Sequence, residues 1–454
     1  MSSKKLPTVA IVGRANVGKS SLFNRLVGEQ QAIVAREAGT TRDSVLGRVS
    51  YRDHNFWLVD TAGLKMAEDE FEATIQEQIE EAADAADVIV VAVEADVMIT
   101  DQDRTVAKKA LKSRKPVILV VNKSDKAGAF PNEDFLRLGI KTIVRTSAEH
   151  NQGMRDLLHE IIEIIPPQRD LPDDNVLRIA LIGRPNVGKS NLFNTLANKQ
   201  QAIVANIAGT TRDVNRTRVN YHQRPIELLD TAGIRRSGKQ EVGIEKFSVL
   251  RSLQAIEQAD ICLLLMDVNE LNVSLDQKLA GIIKEAGRGL VLVVSKWDSL
   301  DDKTPFSRDQ LAKDISRNYQ HVPWAPLIFT SAVTGQNVTK LFDLAMQIDE
   351  RRKQEVKTAD LNKILRKAMN QHPPAGLRNS HPKPRYLVQT DTNPPWFVLF
   401  GSDLRYLHWS YKRYIEHAMR DEYDFSGTPI MFSYRDEKAE KQRRERENKK
   451  SKSE

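Results

Sequence analysis

The chain has 454 residues, 40% of them hydrophobic, and a length of this kind exceeds one hydrophobic core and implies about three domains. Its single cysteine rules out an internal disulfide framework and suits a reducing cytoplasm, and no apolar run reaches the ~18 to 20 residues that would span a bilayer. The net charge of +7 is unevenly placed: residues 351–454 hold 23 Lys and Arg against 14 Asp and Glu, an asymmetry that points to an anionic macromolecule as partner, most often nucleic acid.

The first apolar run, Thr8 to Val12, predicts a buried strand, and it leads directly into Gly13-Arg14-Ala15-Asn16-Val17-Gly18-Lys19-Ser20, with Ser21 opening a helix. In that setting G-x-x-x-x-G-K-S is a phosphate-loop pattern. Its glycines let successive N–H groups point inward, and the helix dipole adds positive potential where a triphosphate would rest. Lys19 would reach the β and γ phosphates, and Ser20 would bind Mg²⁺. Further on, Thr41, with Thr40 as the alternate, stands where a switch threonine would complete the Mg²⁺ shell. Asp60-Thr61-Ala62-Gly63 follows, its aspartate placed to hold Mg²⁺ through water and its glycine N–H to meet the γ-phosphate.

Strand-like and helical runs then alternate: Asp87 to Val93, Gln102 to Lys112, Pro116 to Val121. This is the signature of βαβ units and a mostly parallel, doubly wound sheet. Asn122-Lys123-Ser124-Asp125 closes the last of these strands. A carboxylate at Asp125 can accept from both N1–H and the exocyclic amine of guanine, so the motif selects GTP over ATP. Ser147 and Ala148, in Thr146-Ser147-Ala148, supply a loop whose backbone would contact the guanine O6.

Residues 1–165 therefore read as one nucleotide-binding domain, and the proline- and charge-rich residues 166–176 as a linker. The whole pattern then repeats at a separation of 170 residues through its first third, which marks domain duplication. The second copy, residues 177–350, holds Gly183-Arg184-Pro185-Asn186-Val187-Gly188-Lys189-Ser190 with Asn191, then Thr211 (alternate Thr210), Asp230 and Gly233, and finally Ser331 and Ala332. Here the base motif is Ser295-Lys296-Trp297-Asp298: serine replaces asparagine. Asp298 keeps the main discrimination, but loss of an amide that could meet the base and brace the phosphate loop predicts nucleotide binding weaker by a few-fold to about tenfold. Cys262 lies within the apolar run Ile261 to Met266 and reads as core.

Residues 351–436 carry no phosphate loop. They read helix (Thr358 to Asn370), strand (Arg385 to Gln389), strand (Trp396 to Phe400), helix (Ser410 to Asp421), strand (Pro429 to Tyr434), a small α+β domain in which Trp396, Phe397, Trp409 and Tyr411 are expected in the core. Residues 437–454 form a basic tail expected to be disordered.

All these elements, in order and twice, resemble the translation-factor-like GTPases. Two tandem G domains followed by a short basic domain resemble specifically the Der (EngA) family of bacterial ribosome-assembly GTPases. Pro394 to Phe400, Ser410 to Tyr414 and Gly427 to Ile430 resemble that family's KH-like domain. The resemblance implies GTP hydrolysis with Mg²⁺, low intrinsic turnover, and a role as a monomeric cytoplasmic switch in assembly of the large (50S) ribosomal subunit, with that subunit and its RNA as partners and no membrane or DNA. The alternative is a ribosomal-RNA-binding scaffold whose G domains sense GTP with little turnover. Where Ras-like proteins place a glutamine after Asp-x-x-Gly, this chain has Leu64 and Ile234, which cannot orient water. In similar GTPases a potassium ion held partly by the phosphate-loop asparagine supplies positive charge, and Asn16 and Asn186 stand there. Catalysis would then rest on Asn16, Lys19 and Gly63 in one copy and on Asn186, Lys189 and Gly233 in the other. The third domain lacks the Gly-x-x-Gly clamp of RNA-binding KH modules between Thr358 and Tyr434, which suits an interface role, with Arg385, Lys412 and Arg413 as candidates for phosphate contact.

Overall fold

The computed structural model describes residues 4–31, 46–52, 54–60, 86–166, 169–170, 175–198, 215–230, 249–300, 304–374, 376 and 380–436. The chain divides into two compact units, one made of residues 4–171 and the other of most residues after them.

In the first unit the strands are β1 (Lys4–Lys5), β2 (Thr8–Val12), β3 (Leu46–Tyr51), β4 (His54–Asp60), β5 (Val88–Glu94), β6 (Val117–Asn122), β7 (Thr142–Arg145) and β8 (Arg169–Asp170). Six of them form one sheet in the order β3-β4-β2-β5-β6-β7, parallel except for the antiparallel pair β3 and β4 at the edge. Every residue of Val88–Glu94 is buried, because the strand lies between two neighbours and is covered on both faces. The faces separate by strict alternation. Val9, Ile11, Val88 and Val90 pack with Leu22, Leu26 and Leu157, whereas Ala10, Val12, Ile89 and Val91 pack with Val106, Ala107 and Ala110. The helix Asp101–Lys112 begins with a reciprocal cap: the Thr100 hydroxyl accepts from the Asp103 N–H, and the Asp103 carboxylate accepts from the Thr100 N–H. Within the segment expected to be a linker, Arg169–Asp170 pair antiparallel with Lys4–Lys5.

The second unit repeats the sheet with β9 (Leu177–Ile182), β10 (Asn215–Tyr221), β11 (Arg224–Asp230), β12 (Ile261–Asp267), β13 (Gly289–Ser295) and β14 (Leu327–Phe329), in the order β10-β11-β9-β12-β13-β14. Cys262 is fully buried in it, and burial pushes its thiol up to about 12, so it is a packing residue. The same unit holds the third domain: β15 (Lys383–Asp391) runs antiparallel to β16 (Trp396–Ser402), which runs parallel to β17 (Met431–Asp436). Helices Thr358–Gln371 and Trp409–Glu422 supply Leu361, Leu365, Ile415 and Met419 to a core shared with Phe397, Leu399, Tyr411 and Phe425. Phe397 and Tyr411 are core as expected; Trp396 is half-buried, its indole N–H donating to Ser433 Oγ at 2.7 Å. The α/β class, two tandem doubly wound sheets followed by a small α+β domain, is thus the architecture formed.

This third domain joins the second sheet through main chain. Leu290 N–H donates to Gly427 O at 2.9 Å and Gly427 N–H to Trp324 O at 2.7 Å. Gly427, at φ +77°, lies so close to Ile348 that a Cβ would sit 2.3 Å from Cγ1, and at Gly289 a Cβ would sit 2.8 Å from Ile348 Cγ2. The Arg352 side chain is fully buried at this seam, donating to Gly287 O and Asn393 Oδ1, each at 2.9 Å.

Candidate functional site

Both phosphate loops lie at the carboxyl ends of the parallel strands, where open α/β sheets bind ligands. In the first, Lys19 is 5% exposed and its ammonium is held by Gly13 O at 2.8 Å and Arg14 O at 2.7 Å. The lysine therefore bridges its own loop, poised where phosphate oxygens would arrive. Tight backbone approach explains the glycines: a Cβ on Gly13 would meet Ala92 O at 2.5 Å, and one on Gly18, at φ +90°, would meet Asn122 Nδ2 at 2.4 Å. Asn16 and Asn186 share the left-handed backbone, φ 66° and 63°. The Ser20 hydroxyl donates to Asp60 Oδ2 at 2.6 Å, bringing together the two expected Mg²⁺ ligands, an all-oxygen pair that suits that ion. In the second copy Lys189 is 6% exposed and donates to Arg184 O at 2.6 Å, and Asp230 ends β11 beside Leu181, as Asp60 ends β4 beside Ile11. Thr40, Thr41, Gly63, Thr210, Thr211 and Gly233, with Leu64 and Ile234, lie outside the described residues.

The residues expected to recognise the base converge on the same loop. Asn122 Nδ2 donates to Val17 O at 2.9 Å, while its Oδ1 accepts from Thr146 Oγ1 at 3.1 Å and Ala148 N–H at 3.2 Å. One side chain thus ties the phosphate loop to the loop that would meet guanine O6. Lys123 donates to Asn16 O at 2.7 Å. A hydrogen bond from Ser147 is the main influence holding the Asp125 carboxyl below its usual range, with His150 Nε2 3.4 Å away, so the residue expected to accept from guanine is ionised at neutral pH.

Ser295 corrects one expectation. The phosphate-loop brace is not lost, because its hydroxyl lies 2.6 Å from Val187 O and 2.9 Å from Met266 O. What the serine lacks is the second half of the asparagine: it has no acceptor-and-amide pair to span both loops. Thr330 Oγ1 turns to Val294 O at 3.4 Å, and a Cβ on Gly188 would meet nothing within 4 Å, where its counterpart faces the Asn122 amide. The base loop is also tied less firmly from the helix side: Arg25 donates to Ala148 O and Glu149 O at 2.9 and 2.8 Å, whereas Thr195 makes one bond of 3.3 Å to Ala332 O. We expect GDP to bind the second site a few-fold to about tenfold more weakly than the first, the value of roughly one hydrogen bond. Ser295→Asn should close that gap. Equal affinities in full-length chains with one site silenced would refute the expectation.

Sequence reasoning missed the carboxylates behind the loops. Arg14 and Arg184 belong to the phosphate loops, yet their side chains turn to acidic groups: Arg14 to Glu94 at 3.3 Å and Asp103 at 3.4 Å, and Arg184 to Glu270 at 2.7 Å and Asp276 at 3.1 Å. Burial pushes the Asp276 carboxyl up to about 6 against the pull of Arg184. Lys123 pairs with Glu94 at 3.1 Å, and Lys296 with Asp267 at 2.7 Å. Burial tends to raise the Asp267 carboxyl, but the bond from Lys296 and those from Asn269 take it below the usual range. An acidic residue closing a wholly apolar strand was the available signal for Glu94 and Asp267.

A family model described as 50S ribosome-binding GTPase matches residues 8–123 and 178–296, and one described as the KH-domain-like C-terminal part of EngA bacterial GTPase enzymes matches residues 355–435. GTPase Der of Herpetosiphon aurantiacus is 43% identical over 439 residues, 94% of this chain and 96% of that protein. The chain belongs to the GTPase Der family. GTPase Der of Chloroflexus aggregans, 41% identical, covers 96% of this chain and 99% of its own length, and that of Thermomicrobium roseum is 40% identical over 443 residues. Membership makes the two matched regions GTP-binding G domains of a GTPase and the third domain KH-like. Among the described residues no helix is long and apolar enough to cross a membrane.

Proposed function

We propose that the chain is a GTP-hydrolysing switch in assembly of the large (50S) ribosomal subunit, acting as a cytoplasmic monomer with low intrinsic turnover. The observation that carries this reading is the doubled site itself, with a buried lysine closing each phosphate loop and a base motif reaching the same loop. The family description as ribosome-binding GTPases and the basic excess of residues 351–454 support the choice of partner.

Ser20 with Asp60, and Ser190 with Asp230, would hold Mg²⁺, which would supply positive charge against that of the phosphates. The chain's own part is to fix the phosphates. Lys19 and Lys189 present ammonium groups that the loop carbonyls already orient, so little reorganisation accompanies the transition state. Asn16 and Asn186 are proposed as ligands of potassium, and their exposed side chains at the rim of each loop suit that task. Replacing K⁺ by Na⁺ should slow turnover markedly; equal rates would leave the two asparagines as loop braces. Cosedimentation with ribosomal subunits tests the switch: binding is expected with a non-hydrolysable GTP analogue and reduced with GDP. Binding that ignores the nucleotide, with negligible turnover on subunits, would favour the RNA-binding scaffold instead.

A further inference from the structure

Behind the first phosphate loop stands a carboxylate that serves two masters. Glu94 ends β5, is 7% exposed, and uses both of its oxygens: Oε1 faces Arg14 NH2 at 3.3 Å and Oε2 faces Lys123 Nζ at 3.1 Å. Arg14, which also meets the buried Asp103 at 3.4 Å, belongs to the phosphate loop, and Lys123 to the base motif. Lys123 also donates to Asn16 O, so the circuit closes back on the loop. In the second copy the corresponding residue is Asp267, one methylene shorter. Its Oδ2 takes Lys296 at 2.7 Å, and its Oδ1 is occupied by the N–H and side-chain amide of Asn269, each at 3.0 Å. Arg184 goes elsewhere, to Glu270 Oε2 at 2.7 Å and to the two oxygens of the fully buried Asp276 at 3.1 and 3.2 Å.

We propose that Glu94 couples guanine recognition to the position of the phosphate loop in the first G domain, and that the second G domain lacks this coupling because Asp267 serves Lys296 and Asn269 while Arg184 turns to Glu270 and Asp276. The physical reason is that two cations sharing one poorly solvated carboxylate cannot be moved independently. Withdrawing Lys123 leaves Glu94 to Arg14 alone, and the loop follows; withdrawing Arg14 has the mirror effect on the lysine that would lie along the base. Where the two cations share no carboxylate, neither change reaches the other. Glu94 is in this sense a positioning residue, and the two sites, so alike in motif, would answer differently to the loss of either contact.

The inference rests on both loops binding guanine nucleotide, and its test separates the two claims. Full-length chains carrying Asp298→Asn, which removes the carboxylate that would accept from guanine, leave the first site to be titrated with fluorescent GDP. In that background Arg14→Ala, Lys123→Ala and the double variant form a cycle; the double variant should bind at least about threefold better than the product of the two single losses predicts, as residues in one ion-pair network do. The mirrored cycle of Arg184→Ala and Lys296→Ala, in an Asp125→Asn background, should multiply to within about twofold. Glu94→Gln, close to isosteric, guards against a failure to fold: once it is present, Arg14→Ala and Lys123→Ala should each cost less than in the parent. Independent losses in the first site, or equal coupling in both, would overturn the proposal while leaving GDP binding intact. A parent first site that takes no GDP would instead overturn the functional reading.

Discussion

Lys19→Ala is expected to lower GTP turnover at the first site by about 100- to 1,000-fold, the loss typical of one preorganised group that faces developing charge. The ammonium is 5% exposed and fixed by two loop carbonyls, so it waits in a poorly hydrated position rather than being recruited from solvent. Arginine cannot take over, because its forked guanidinium does not fit the point occupied by a compact ammonium between Gly13 O and Arg14 O. Lys189→Ala should have the same effect at the second site, where Arg184 O accepts from the ammonium. Single-turnover hydrolysis in chains with the opposite base motif silenced would measure each site, and a loss smaller than tenfold would show that the lysine is not the principal charge on the phosphates.

Arg352→Leu is expected to destabilise the second unit by about 3 kcal/mol, or roughly 6 to 12 °C in melting temperature for a unit of this size. The buried Gly287 O and the half-buried Asn393 Oδ1 would lose their donor, and the penalty for a stranded buried acceptor exceeds the worth of the bond itself. Burial lowers the guanidinium to about 10, which still leaves it charged at neutral pH. Arg352→Lys should recover only part of the loss, since one ammonium cannot reproduce two diverging donors. Differential scanning calorimetry would decide the matter, and a melting temperature within 2 °C of the parent, about 0.5 to 1 kcal/mol here, would show that the seam does not depend on this side chain.

How far sequence carried the reading depended on whether the signal was local. The phosphate loops, the closing strands and the small third domain were legible because each is specified by residues a few positions apart. Thr8 to Val12 is the strand expected, and the helix expected from Thr358 to Asn370 runs to Gln371. The carboxylates were not legible in the same way. Asp103 looks like an ordinary helix cap, and is one, but its second oxygen meets Arg14 only because the sheet brings β2 beside β5. The role of Ser295 was half legible: the motif showed that an amide was missing, but not that a hydroxyl on the same strand would stand close enough to Val187 O to replace one of its bonds. Arg352 was hidden for a third reason. It sits in Arg351-Arg352-Lys353, a run whose charge suggests a solvated surface, and nothing in the run distinguishes the one residue that is wholly enclosed.

The join between the second sheet and the KH-like domain combines main-chain bonds at Leu290, Gly427 and Trp324 with the enclosed Arg352 side chain and its partner Asn393. Residues that contribute only main chain here can drift through evolution singly, whereas Arg352 with Asn393 and Arg351 with Asp424 would have to change in pairs. Its trace in a family of sequences would be small residues held at 287, 289 and 427 for as long as Pro394 and Ile348 keep the bulk that stands against them.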